Sequence, residues 1–232
     1  MDEIQQRWLY GLSAPMVALN PPAEYAEPAF FANPQAIDLQ GSWGLNDRPQ
    51  LLDMLKRMTD GGHARHLDGA YRAWQRCLPS EWQALLETLE PRERVLHEFA
   101  SRTFGSCGPG GILSWDYGRM GFLLRCGVRN RWIDQAESLW LHSRLAVRAQ
   151  YHYGSWLAYF NGFLIGRSFW GCLGNSDDEL AFELDRQGQF PTTLLVGREL
   201  HRHMPTFLAD LPWHLDLDLP QCPASLEEFD WS

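Results

Sequence analysis

Three amphipathic helical patterns follow one another along residues 112–170, and they restrict the fold more than any other feature of the sequence. In the first pattern, large apolar residues recur every three or four positions from Ile112 to Cys126. This is the spacing of an α-helix that buries one face. Three such helices in a row favour helix-on-helix packing, and we therefore expect a mainly α protein.

The second pattern begins at Asp134, and Glu137 three residues later completes the Asp-x-x-Glu variant of a capping box. Gly154 ends the helix. The helical period predicts that its buried stripe consists of Ala136, Leu139, Trp140, Ser143, Val147 and Gln150.

The third pattern follows the predicted cap Ser155 and places an arginine inside an aromatic stripe. The members of that stripe lie three or four positions apart: Trp156, Phe160, Phe163, Arg167 and Trp170. A cation on a core face is tolerated only when it is paired or hydrogen-bonded. We therefore expect Arg167 to have a partner.

The nearest helical carboxylate of similar placement is Asp116, one turn before Arg119 in the first helix. We predict that Asp116, Arg119 and Arg167 form one partly buried network. Gly118 and Gly121 in the first helix, and Gly162 and Gly166 in the third, are expected to let the two helices approach closely. An adjacent arginine keeps a carboxylate ionised, which suits structural pairing better than proton transfer. The alternative is that these three residues form a catalytic or ligand-binding cluster.

Weaker patterns before residue 112 predict further helices, one of them capped by Ser80 with Gln83. Residues 105–111 are rich in glycine, but they lack the Gly-Lys-Ser/Thr ending of a phosphate-binding loop, and Pro109 removes one backbone donor. We interpret this stretch as a flexible connector. The chain is then predicted to form one irregular multi-helix domain over residues 1–203, with its core at 112–170, and an extended acidic segment over residues 204–232 that packs on it.

An acidic helix is predicted after the third pattern, where Ser176 with Glu179 forms another capping box. Its period predicts that Leu180, Phe182 and Leu184 are buried and that its carboxylates face solvent.

Beyond residue 204 the sequence contains no lysine or arginine, and acidic residues are interleaved with tryptophan, phenylalanine and leucine. Residues 214–219 alternate with period two, which makes them a possible strand. Two interpretations remain open for the segment. It is either a solvated end that packs its aromatic side chains on the domain, or a strip that binds a basic protein.

The formal net charge of −9 argues against a general grip on phosphate backbones, so we expect no nucleic-acid partner. No segment has the roughly 20 apolar residues of a membrane span, and the first residues lack the apolar run of a signal peptide. The five cysteines are scattered and show no metal-ligand spacing. We therefore expect a cytoplasmic protein with reduced thiols and no membrane partner.

Motifs for catalysis are not evident in the sequence. No Gly-x-Ser-x-Gly elbow occurs, and no cysteine has a neighbouring base that would activate it. His63 with His66, and His201 with His203, are spaced unlike a helical His-Glu-x-x-His site, so we interpret them as surface histidines. The sequence predicts no catalytic residue, metal or cofactor.

The central patterns resemble a bacterial family known as domain of unknown function 1266. The likeness rests on residues 114–119, reading SWDYGR, on residues 132–137, reading WIDQAE, on Trp156 and on residues 166–170, reading GRSFW. The resemblance implies the helical fold and marks Asp116, Arg119 and Arg167 as a signature, together with Trp156 and Trp170. In the turn after the first helix, residues 127–133 lack one glycine of the family pattern.

The family carries no established activity, but members of such small acidic bacterial families occur among proteins that neutralise secreted or contact-dependent toxins, and the resemblance implies that role. We therefore expect a non-enzymatic, immunity-type inhibitor that binds a basic partner, such as a cognate nuclease toxin. The partner-binding residues are predicted to be Asp177, Asp178, Glu183, Asp185, Asp216, Asp218, Glu227, Glu228 and Asp230. The alternative is an enzyme or small-ligand-binding protein that uses Asp116, Arg119 and Arg167.

Overall fold

The structure, a computed structural model, describes residues 1–187, 191–229 and 231. It is 69% helical, and the described residues include no strand. The predicted mainly α, irregular multi-helix domain is therefore confirmed. The prediction of a possible strand at residues 214–219 is wrong, because those residues pair with no other strand and have an irregular backbone.

The helices lie in the following order along the chain: α1 (Glu3–Gly11), α2 (Ala14–Leu19), α3 (Gln40–Trp43), α4 (Arg48–Gly61), α5 (Arg65–Arg76), α6 (Pro79–Thr88), α7 (Pro91–Cys107), α8 (Leu113–Arg129), α9 (Gln135–His152), α10 (Trp156–Cys172), α11 (Asp177–Gln187) and α12 (Pro191–Phe207). Short 3-10 helices follow α7, at Gly108–Gly110, and occur near the end of the chain, at Ala224–Leu226.

Contacts between residues divide the chain into two compact units. Unit 1 consists of Met1–Asp60, Tyr117–Tyr151 and Glu199–Ser232, and unit 2 consists of Gly61–Asp116 and His152–Arg198. The described part of the acidic segment therefore belongs to unit 1. The proposed boundary between residues 203 and 204 stays a prediction.

Helix α8 is buried on every side, although its sequence pattern predicts one buried stripe. Between Ser114 and Gly127, each residue except Arg119 is buried. A helix without a solvent face has to accommodate its polar side chains in the interior. Asp116 at 2% exposure and Arg125 at 0% are the charged groups for which this matters most.

The start of α9 is as predicted, but its buried face is not. Asp134 Oδ1 accepts a hydrogen bond from the Glu137 amide at 2.8 Å, and Glu137 Oε2 accepts one from the Asp134 amide at 2.8 Å. Of the predicted stripe Ser143 is buried, but Ala136 and Val147 are exposed, so the stripe as a whole is wrong. The buried residues of the helix are Glu137, Ser138, Leu141, His142, Ser143, Leu145, Ala146 and Ala149. Several of these residues are polar, so the spacing of apolar residues alone predicted the wrong face of the helix as the buried one.

Two other cap predictions have opposite outcomes. Ser155 caps α10 as expected, since its hydroxyl oxygen accepts from the Ala158 amide at 3.1 Å. The Ser80 cap is wrong, because α6 begins earlier, with Pro79 in its first turn and Leu78 as N-cap. Glu81 takes the role predicted for the later glutamine and accepts from the Leu78 amide at 2.7 Å.

The glycine-rich stretch before α8 includes the end of α7 and a 3-10 helix, and its last two residues, Gly110 and Gly111, are buried in unit 2, so its interpretation as a flexible connector is wrong. A side chain at Gly111 would lie 2.6 Å from the Tyr71 ring, and one at Gly110 would lie 2.5 Å from the Tyr153 ring. The Tyr153 hydroxyl donates towards both glycine carbonyls and accepts from the Ser114 amide at 2.9 Å. Tyr153 therefore fixes the turn that starts α8.

The close approach of α10 to the start of α8 is as predicted for Gly162 and Gly166, but not for Gly121 of α8, where a Cβ atom would lie 3.2 Å from Ser13 and 3.5 Å from His142 in unit 1. A Cβ atom on Gly166 would lie 2.5 Å from Cβ of Trp115, and one on Gly162 would lie 2.6 Å from the Ser114 hydroxyl. Neither position has room for a side chain. The two glycines thus set the distance between these helices.

Candidate functional site

Asp116 is a buried carboxylate that holds the start of α5. Its Oδ1 accepts from the His63 amide at 3.2 Å, and its Oδ2 accepts from the Ala64 amide at 2.9 Å. These amides belong to the N-cap of α5, Ala64, and to the residue before it, at the end of the helix where backbone donors have no helical partner and the helix dipole is positive. Both oxygens therefore perform a capping role for a helix that begins about fifty residues earlier in the chain.

The imidazole of His63 lies beside the same carboxylate. The Trp115 indole nitrogen donates to His63 Nδ1 at 3.2 Å, and Asp116 Oδ1 lies 3.6 Å from the same nitrogen. His63 thus lies between the Trp115 indole and the Asp116 carboxylate, next to the start of α5.

Arg167 lies on α10, half-buried, and donates from Nη1 to the Thr193 hydroxyl at 3.2 Å. Burial lowers the pKa of its guanidinium. Within the part of the chain that the structure describes, no carboxylate pairs with it. The partner expected for this cation is therefore a hydroxyl on α12.

The other residues of the family signature lie in aromatic surroundings. The Arg119 guanidinium lies 4.8 Å from the centre of the Trp43 ring, a cation–π contact. Trp156 is buried and stacks on Phe160 at 5.6 Å. Trp170 is 49% exposed, so it does not complete the buried stripe predicted for α10.

The predicted network of Asp116, Arg119 and Arg167 stays a prediction. Each of the three has a contact outside it: the α5 amides for Asp116, the Trp43 ring for Arg119 and the Thr193 hydroxyl for Arg167.

Several acidic residues of α11 are paired within unit 2. Asp177 lies 2.7 Å from Arg92, Asp185 lies 2.9 Å from Arg102, and Glu183 lies 2.7 Å from Arg186. Exposed pairs of this kind contribute little to stability, and a partner can exchange for them readily. Asp178 is exposed and has no ion pair with any residue that the structure describes.

Phe182 corrects the prediction for the apolar side of α11. It was expected to be buried with Leu180 and Leu184, yet it is 67% exposed while those two are buried. Residues 178, 182 and 185 share one helical face by their spacing. An exposed aromatic ring therefore stands between Asp178 and Asp185.

In the described part of the C-terminal segment, both tryptophans are buried and the carboxylates are exposed. Trp213 and Trp231 are 6% and 5% exposed, and the Trp231 indole donates to the Thr59 hydroxyl at 2.7 Å. The Gln150 side chain donates to the Trp213 carbonyl at 2.9 Å. Thus the aromatic side chains anchor the segment inside unit 1 and do not form a free strip.

The carboxylates of this segment were predicted to bind a partner. Asp216, Asp218, Glu227 and Glu228 are exposed. Asp218 also accepts from the Gln5 side chain at 3.1 Å. Asp230 lies outside the described residues.

Arg125 is a buried charged residue that the sequence patterns did not single out. Its guanidinium donates to the Ser13 hydroxyl at 3.0 Å and to the carbonyls of Glu24 and Glu27. It also lies 5.3 Å from the centre of the Tyr10 ring. Burial lowers the pKa of Arg125 to about 10. An arginine enclosed by apolar neighbours in the run from Phe122 to Cys126 was the signal that could have identified it.

Unit 2 also contains a pocket of about 560 Å³ between α7, α10, α11 and α12. Apolar side chains provide most of its wall, and three hydroxyls and one ion pair supply polar groups. Its lining residues are Phe99, Arg102, Thr103, Leu164, Ile165, Ser168, Leu184, Asp185, Thr193, Leu194 and Gly197. A concave apolar site with a few polar groups is the usual form of a small-molecule site.

Over the described residues, His, Cys, Asp and Glu do not gather in a group of three that could hold a metal ion. Among those same residues, no helix has the length and hydropathy needed to cross a bilayer.

These features define an all-α protein with buried polar groups and an acidic C-terminal segment. The chain belongs to the family described as "Protein of unknown function (DUF1266)", which matches residues 38–213. It is similar to the uncharacterized protein YbeU of Escherichia coli (strain K12), with 38% identity over 233 residues that cover 98% of each chain. It is also similar to the uncharacterized protein YbeR of the same organism, with 41% identity over 172 residues and 73% of each chain. No solved structure matches.

Proposed function

We propose that this protein is a non-enzymatic protein-binding module, most concretely an immunity-type inhibitor that neutralises a bacterial toxin. In this proposal the partner is a basic protein, such as a nuclease effector, and binding takes place in the cytoplasm. The observation that carries the proposal is the arrangement of the C-terminal segment, in which carboxylates face solvent above buried tryptophans.

That arrangement supports recognition of a basic surface because the carboxylates are held in place before a partner arrives. The backbone of the segment is fixed by the Gln150 side chain, by the Trp8 indole at 3.0 Å from the Pro212 carbonyl, and by the contact of Trp231 with Thr59. Little ordering entropy is then lost on binding. Clustered negative charge also accelerates the approach of a basic partner.

The exposed face of α11 supports the same proposal. Phe182 offers an aromatic side chain of the kind that anchors interfaces, and Asp178 and Asp185 flank it with charge. Asp185 has to release Arg102 before it can pair with a basic group of the partner, and this exchange costs little because the ion pair is exposed.

The test is affinity capture with the full chain from a lysate of its host, at low and then high salt. The tail variant changes Asp216, Asp218, Glu227 and Glu228 to serine. We expect the intact chain to retain one basic protein in stoichiometric amount at low salt, and we expect that protein to be toxic when expressed alone. The tail variant should bind it more weakly and with a smaller dependence on salt.

A matched control variant removes the same number of exposed carboxylates elsewhere: Glu3, Asp60, Glu87 and Glu93 to serine. Its net charge equals that of the tail variant. If both variants bind equally weakly, the loss of affinity is due to net charge alone. The tail is then not part of the interface. A column that retains no basic protein at either salt would contradict the proposal.

The alternative is an enzyme or ligand-binding protein that uses Asp116, Arg119 and Arg167. It predicts that Arg167→Ala abolishes a turnover or a binding event while the melting temperature is kept. The capping role of Asp116 favours a structural use of that residue. Arg167 contacts Thr193, which lines the pocket of unit 2, so it lies next to a different site.

A further inference from the structure

The pocket of unit 2 has polar groups placed at one part of an otherwise apolar wall. Phe99, Leu164, Ile165 and Leu184 line it with hydrocarbon, and Thr193 is a buried hydroxyl in the wall contributed by α12. A cavity of about 560 Å³ lies within the range of sites for small organic molecules. Its volume and lining therefore suit a compact molecule with an apolar body.

The Thr193 hydroxyl is prepared to donate a hydrogen bond into this pocket. Its oxygen already accepts from Arg167 at 3.2 Å, so its own hydrogen is available for another acceptor. The positive charge behind the oxygen polarises the O–H bond and strengthens that donation. The group that fits opposite Thr193 is accordingly an acceptor.

The charges around the pocket favour an anion over a neutral molecule. Arg102 and Asp185 form an ion pair in the lining and cancel each other. Arg167 adds a half-buried positive charge that no carboxylate offsets among the described residues. A half-buried cation is stabilised when a negative group comes near it. Arg167 is not itself a lining residue, but its Nη1 lies 3.2 Å from the hydroxyl oxygen of Thr193, which is one, so its positive charge lies directly behind that hydroxyl.

We propose that this pocket binds a small organic carboxylate with an aliphatic or aryl body. The carboxylate accepts from the Thr193 hydroxyl and is attracted by Arg167, and the body lies along Phe99, Leu164 and Ile165. An amine of the same shape is repelled by Arg167. An alcohol of the same shape retains the apolar contacts and lacks the charge.

The test uses isothermal titration calorimetry of the full chain with octanoate, octanol and octylamine. We expect saturable binding of one octanoate per chain, at least tenfold weaker binding of octanol, and no binding of octylamine. Equal affinity for octanoate and octanol would overturn the assignment of a carboxylate site. No binding of octanoate at millimolar concentration would overturn the pocket as its site.

Two variants connect binding to the named residues. Thr193→Val removes the hydroxyl at nearly constant shape and should weaken octanoate about tenfold, because a buried charge-assisted hydrogen bond is lost. Gly197→Leu places a side chain into the pocket wall, where a Cβ meets only Leu164 at 3.7 Å, and should abolish binding. Gly69→Leu is the control, since that helical glycine has open space around it.

Melting curves of all variants accompany the titrations. Gly197→Leu should melt close to the intact protein yet fail to bind, while Gly69→Leu should bind normally. If Gly197→Leu does not fold, the octanoate affinity of Thr193→Val tests the proposal. Unchanged octanoate affinity in a folded Thr193→Val protein would contradict the proposal.

Discussion

Arg125 in unit 1 and Arg167 in unit 2 are both arginines placed among apolar residues on long helices, and they differ in how fully their donors are used. Arg125 is completely buried and reaches one hydroxyl and two backbone carbonyls, with aromatic rings on its faces. Arg167 is half-buried and has one hydroxyl. A guanidinium whose donors are all used stabilises the fold around it. One with unused donors is able to bind a further acceptor.

The largest effect is expected from Arg125→Met, which removes the side-chain donor from the Glu24 carbonyl and one of two donors from the Glu27 carbonyl, which keeps the Phe30 amide. We expect a loss of about 4 kcal/mol in the free energy of unfolding, measured by urea denaturation. The exposed Arg57, paired with Asp53 at 2.8 Å, provides the control, and Arg57→Met should cost less than about 0.5 kcal/mol. A loss below about 1 kcal/mol for Arg125→Met would contradict the interpretation that the hydrogen bonds of the Arg125 guanidinium stabilise the fold.

His142 extends the comparison to pH, because it is a second buried polar group of unit 1. Burial, helped by the charge of Arg125, lowers the pKa of His142 to about 4 from an ordinary value of 6.5. Between these values the unfolded chain binds a proton that the folded protein does not, so stability falls as pH decreases from about 6.5 to about 4. The loss attributable to His142 should reach about 3 kcal/mol.

The measurement is urea denaturation at several pH values for the intact protein and for His142→Gln. The substituted protein should lack this component of the pH dependence. If the free energy of unfolding changes with pH in the same way in both proteins, His142 is not the source of the pH dependence.

A moderate effect is expected from Asp116→Ala in unit 2, since two amides at the start of α5 lose their acceptor. The free energy of unfolding should fall by about 2 kcal/mol. Asp47 caps α4 at an exposed site, where its Oδ1 accepts from the Gln50 amide at 2.9 Å. Asp47→Ala should cost about half as much, because water replaces the lost acceptor. Equal losses would remove burial as the reason for the importance of Asp116.

The smallest effect is expected from Arg167→Ala. The sequence alone suggested that its loss would leave a buried carboxylate unpaired, but the described partner is a hydroxyl. The free energy of unfolding should therefore change by at most about 1 kcal/mol in the absence of a ligand. A loss as large as that of Arg125→Met would remove the distinction between the two arginines.

Features that depend on neighbours in sequence could be predicted. The caps at Asp134 and Ser155 were found because both partners lie three residues apart. The close approach at Gly162 and Gly166 followed from glycine inside a helical pattern.

Features that depend on distant partners could not be predicted. The buried face of α9 was missed because it carries Glu137, whose partners Arg48 and Ser225 lie 89 and 88 positions away. Arg125 was missed for the same reason, since its acceptors lie about a hundred residues earlier. Phe182 fits a buried position by periodicity, and only the packing of unit 2 shows that it is exposed. The pocket has no sequence signature, because four helices form it.

The anchoring of the C-terminal segment in unit 1 also has a consequence for synthesis. Trp8 packs against Trp213 at 5.3 Å, so its burial requires a part of the chain that is made some 200 residues later. At ordinary translation rates this interval lasts on the order of 10–40 s. During that time the Trp8 side chain lacks the cover of Trp213 on the nascent chain, which makes it a target for chaperones that protect exposed apolar segments.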